Sequence, residues 1–99
     1  MPKAQEQYQA ALKYNSKYTD AYINLGTLFF QAGRISEAIE QYQKAIRLEP
    51  NRVVAHANLG AAFVQAGRIS EGRHEYEKAL QIDPKNKDAR DHLTSLHNL

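Results

Sequence analysis

Apolar side chains recur along this chain at three- and four-residue steps, first as Tyr22, Leu25, Phe29 and Ala32, then as Ala38, Tyr42, Ala45 and Ile46. That spacing puts each set on one face of a helix and is foreign to the two-residue alternation of a strand. The pattern also repeats. Gln31-Ala32-Gly33-Arg34-Ile35-Ser36-Glu37 returns letter for letter as Gln65-Ala66-Gly67-Arg68-Ile69-Ser70-Glu71, and residues 19–52 match residues 53–86 at sixteen of thirty-four positions. Such identity at one offset marks a structural unit used twice. Ala4, Tyr8, Ala11 and Leu12 fall one period before Ala38, Tyr42, Ala45 and Ile46, and Ala89 and Leu93 fall one period after Ala55 and Leu59. Half a unit (1–18) therefore precedes the full units 19–52 and 53–86, and a closing helix (87–99) follows.

Each unit reads as two helices. Gly33 and Gly67 stand where the first helix must stop, because glycine enters the left-handed conformation of a helix end at little cost. Pro50 and Pro84 mark the turns between units. The expected helices are 3–14, 19–32, 35–48, 53–66, 69–82 and 87–98, six in all. Gly26 and Gly60 lie mid-helix, where glycine costs about 1 kcal/mol against alanine. Close approach of a large neighbour, Tyr42 or Tyr76, is the packing reason expected for them. Gly72 and Arg73 replace Ala38 and Ile39, which predicts a soft second unit that opens first and gains about 0.5–1 kcal/mol from Gly72→Ala.

The thirty-four-residue period with Tyr22, Leu25, Gly26, Phe29, Ala38, Tyr42, Ala45 and Pro50 resembles the tetratricopeptide repeat. His56 and Gly72 depart from its pattern in the second unit, and Arg90, Thr94 and His97 do so in the last helix, which reads as a solvating cap. The resemblance implies an all-α, right-handed solenoid of antiparallel hairpins whose concave groove, lined by the first helix of each unit, takes a peptide or partner helix. Carried over by position, the lining is Asp20, Ile23, Asn24, Thr27, Phe30 and Gln31, then Val54, Ala57, Asn58, Ala61, Val64 and Gln65, with Asp88, Asp91, His92 and Ser95 completing it. Asn24 and Asn58 are similar in placement to the asparagine ladder of O-linked N-acetylglucosamine transferases, which holds the backbone of an extended ligand. Chaperone-tail adaptors of the family clamp a terminal carboxylate with Lys, Arg and Asn. Asn58 matches that clamp, but Ile23, Thr27, Asp88 and His92 occupy its other places, so acidic C-terminal tails are not expected to bind.

Composition narrows the chemistry. Cysteine is absent, which excludes disulfides, thiolate metal sites and a thiol nucleophile. A net charge of +2 lacks the basic stripe of a nucleic-acid binder, and no run approaches a membrane span. There is no HExxH and no phosphate-cradling glycine loop, and His92 and His97 diverge by about 140° on a helix. The histidines read as polar packing, and Ser36 and Ser70, with Glu37 and Glu71, as helix-end hydrogen bonders. Glu40, Lys44, Arg47, Glu75, Glu77, Lys78 and Gln81 read as a solvated outer face. The chain is thus expected to be a non-enzymatic cytoplasmic scaffold without cofactor or metal that binds a protein or peptide. Two alternatives stay open: an element that oligomerises through its ends, with the N-terminal helix offering a homo-oligomer contact, or a regulatory piece of a larger multi-repeat protein such as a glycosyltransferase.

Overall fold

The computed structural model describes residues 16–97. Within them lie five helices, not the six expected: α1 (Ser16–Gln31), α2 (Ile35–Leu48), α3 (Val53–Gln65), α4 (Ile69–Ile82) and α5 (Lys87–His97). The helix expected at 3–14 lies outside the described residues. Successive helices pack on one another as stacked antiparallel hairpins, α1 with α2 and α3 with α4, while α2 covers α3 and α4 covers α5. One core gathers Ala38, Ile39, Tyr42, Ala45, Ala55, Leu59, Ala62 and Phe63 between the two hairpins, and a second gathers Tyr76, Ala79, Ala89 and Leu96 beneath α5.

The repeated heptapeptide has a physical reading. Gly33 and Gly67 adopt φ of 78° and 82°, the left-handed conformation expected of them. Arg34 N–H then donates to Phe29 O at 2.8 Å and Gly33 N–H to Phe30 O at 3.0 Å, and Arg68 and Gly67 do the same to Phe63 and Val64. This double bond pattern closes a helix end, and an apolar contact usually completes it. Here a guanidinium over an aromatic face serves, Arg34 over Phe29 at 4.9 Å and Arg68 over Phe63 at 4.6 Å. Each arginine next forks onto the following carboxylate, Arg34 to Glu37 and Arg68 to Glu71, with N···O distances of 2.6–2.7 Å. The helix-end role expected of Ser36 and Ser70 is not found: Arg34 and Arg68 stand at the cap positions before α2 and α4, with no side-chain cap hydrogen bond.

Mid-helix glycine follows the expected logic. A Cβ on Gly26 would stand 2.6 Å from the Tyr42 ring, and one on Gly60 3.0 Å from the Tyr76 ring. Gly72 overturns its expectation. A Cβ there would meet Val64 Cγ2 at 2.6 Å and the Gly60 carbonyl oxygen at 2.9 Å, so this glycine permits backbones to touch and is no defect. Glu75 is also corrected. Read as outer face, it is 7% exposed and holds the His56 ring at 2.9 Å, while the other ring nitrogen meets Pro50 O at 2.6 Å. The ring thus bridges the Glu75 carboxyl group and the Pro50 carbonyl through its two nitrogens.

Candidate functional site

A cleft of 150 Å³ lies between α3 and α5, lined by Val54, Ala57, Asn58, Ala61, Asn86, Asp88 and His92. Its walls follow from the period. Val54 and Asp88, and likewise Asn58 and His92, are one repeat apart, so equivalent faces of α3 and α5 look into one space. Val54 is 52% exposed and supplies apolar surface at the mouth. Ala57 and Ala61 are half-buried and keep the cleft open by being small. His92 is held by stacking on Tyr76, ring centroids 5.4 Å apart. Asn86 has a second duty, since its side-chain oxygen accepts from Ala89 N–H at 2.9 Å and starts α5.

The remaining expected residues divide. Asn24 is exposed one repeat before the half-buried Asn58, and among the described residues neither side-chain amide is taken up by another group. Gln31 and Gln65 are exposed at the ends of α1 and α3, away from the cleft lining. Four residues are engaged elsewhere. Ile23 is 6% exposed and belongs to the core, because it faces α2 and not the groove. Phe30 is half-buried against that same core, and Val64 against the second. Thr27 is half-buried and committed: its hydroxyl donates to Ile23 O at 3.0 Å and so accepts from Tyr42 OH at 2.9 Å.

Two groups escape a reading by helix face, because both stand in turns. Asn86 lines the cleft, and Arg52, its counterpart one period earlier, pairs with Asp20 and with Glu49, the latter at 3.1 Å. The hydrogen bond to Asp20 holds the Arg52 proton above its ordinary value. Asp20 is thereby neutralised, which leaves Asp88 and Asp91, both exposed, as the acids of the groove. The available signal was an opposite charge pair thirty-two residues apart, close to the period. A larger groove of 600 Å³ lies between α2 and α4 on the other side of α3, lined by Ile46, Leu59 and Phe63 together with the polar and charged Glu71, His74, Glu75 and Lys78. Among the described residues no group of three or more acids and histidines is placed to hold a metal, and no helix is long and apolar enough to cross a membrane.

A family model described as "TPR repeat" matches residues 26–67, and one described as "Tetratricopeptide repeat" matches residues 53–86. No curated protein matches the chain. Among solved structures, the second TPR of Spaghetti (RPAP3), bound to the HSP90 peptide SRMEEVD, superposes with a TM-score of 0.82 at 20% identity over 87% of this chain and 80% of that one. The Arabidopsis OM64 TPR domain gives 0.78 at 25% identity over 92% and 75%. The first TPR of Spaghetti (RPAP3), with the same peptide, gives 0.53 at 19% identity over 85% and 94%.

Proposed function

The chain belongs to the tetratricopeptide repeat family, and from that premise we propose that it is a non-catalytic scaffold that holds an extended peptide segment along α1, α3 and α5. The observation that carries this reading is the pair Asn24 and Asn58. Their amides are uncommitted among the described residues, one repeat apart on equivalent helix faces, and each offers a donor and an acceptor to a peptide group whatever its side chain. Val54, Ala57 and Ala61 beside Asn58 add apolar surface, at about 25 cal/mol per Å² buried.

Charge selects among peptides. The structural neighbours in the Spaghetti complexes hold an acidic-ended HSP90 peptide. In this chain Asp88 stands in the cleft and Asp91 beside it, and the nearby cation Arg52 is spent on Asp20 and Glu49. The proposed ligand is therefore neutral or basic, without a terminal carboxylate in the cleft, in a cytoplasmic setting. Titration with SRMEEVD should give no saturable binding, and micromolar affinity would overturn this ligand class. Partners captured by the chain and identified by mass spectrometry should be lost with Asn24→Ala/Asn58→Ala. Retention by that double variant would refute the amide mechanism.

A further inference from the structure

Resting on the reading that the chain holds an extended peptide, we propose that the cleft between α3 and α5 takes one cationic side chain, arginine or lysine, of that peptide. The preceding repeat shows what such a place accepts. Arg52 reaches from the turn before α3 to Asp20 on α1. One period later the same two positions hold Asn86 and Val54, so the guanidinium and its carboxylate are both replaced. Asn86 is shorter than Arg52, and its side-chain oxygen is turned to Ala89 N–H at 2.9 Å. The room that an arginine takes at the first step is thus open at the second, as a cleft of 150 Å³ with Asn86 and Val54 in its lining. That volume is below the roughly 300 Å³ at which small-molecule pockets begin, and it suits a single side chain.

The lining supplies what a long cation needs. Val54, 52% exposed, forms with Ala57 and Ala61 an apolar wall for a methylene stem, whose charged head stays at the wet mouth. Asp88 supplies the opposite charge. It is exposed, it lines the cleft, and among the described residues it has no ion-pair partner. Arg90, close by in sequence, donates to Pro84 O at 2.6 Å instead. No lysine or arginine stands in the lining to compete with a guest, and its other titratable group, His92, is stacked on Tyr76. Asn58 faces Asp88 from α3, so its amide holds the guest's backbone while the carboxylate takes the head of the side chain. An acidic side chain in the same place meets like charge, and an apolar one gains nothing from Asp88.

A phage-displayed random heptapeptide library panned on the 99-residue chain should enrich sequences with arginine or lysine at one fixed position. The synthetic consensus peptide, followed by fluorescence anisotropy, should bind about tenfold more weakly when norleucine replaces that residue. Asp88→Asn and Asp88→Lys should both erase the preference, and a peptide with glutamate at that position should regain binding to Asp88→Lys. Glu77→Lys, on α4 and outside the cleft lining, makes the same change in net charge and should keep the preference. Enriched sequences without a fixed cation, or a cation preference indifferent to Asp88, would overturn the subsite and leave the scaffold reading standing, provided Asn24→Ala/Asn58→Ala still loses them. A library that yields no binder would sink the scaffold reading and the subsite together.

Discussion

At single residues, close packing decides against intrinsic preference. Alanine beats glycine in a free helix by about 1 kcal/mol, but overpacking a filled site costs about 1–3 kcal/mol. At Gly72 the neighbour on one side is a backbone oxygen at 2.9 Å, which cannot swing aside. Gly72→Ala should therefore lower stability by about 1–2 kcal/mol in thermal unfolding, and a gain would restore the reading of this position as a defect. His56 and Glu75 pose a charge question instead. Both are buried, and removal of one partner of a buried pair costs up to about 3 kcal/mol where the other is left unpaired, a loss that Lys78, 3.6 Å from Glu75, offsets in part. His56→Ala should show that loss in denaturant titration, and adding Glu75→Gln should recover much of it. The first unit carries Tyr22 and Gln41 at the two corresponding places, so the pair changed together between units. The period located both residues; that they touch was legible only in three dimensions.

Helices in this chain are joined by what they insert into one another. Tyr42 and Tyr76, each 2% exposed, reach from second helices into the room left by Gly26 and Gly60. Burial pushes both phenols above their ordinary value. Each folded phenol thus holds its proton more tightly than in the unfolded chain. Their contribution is whole below the unfolded value near pH 10 and is lost as pH rises through the folded values. Melting temperature followed by circular dichroism should fall above about pH 10, and Tyr42→Phe/Tyr76→Phe should flatten that fall. A decline equally steep in the double variant would place its cause elsewhere. The terminal element behaves differently. Among the described helices α5 packs on α4, mainly through Ala89 and Leu96. Leu96→Ala should cost about 2 kcal/mol and speed hydrogen exchange in α5 before α3, whereas uniform exchange would mean the array opens as one unit.

Over the whole molecule the two hairpins and the closing helix are set by a chain of nearest-neighbour contacts, as expected of a repeat array. The thirty-four-residue register, the helix ends at Gly33 and Gly67 and the Tyr-on-Gly nesting are local or periodic properties, so the sequence alone determined them. The five described helices accordingly fall within three residues of the spans that periodicity predicts. Tertiary structure decided what periodicity cannot separate. Ile23 and Asn24 are adjacent on one helix, yet one is core and the other surface, because the orientation of α1 against α2 fixes where the groove begins. Val54 and Asp20 hold the same place in two units, but only Asp20 meets a cation, Arg52, from the following turn. A repeat in sequence states which positions are equivalent; only packing gives each its neighbours, and neighbours decide whether a side chain is buried, paired or free to bind.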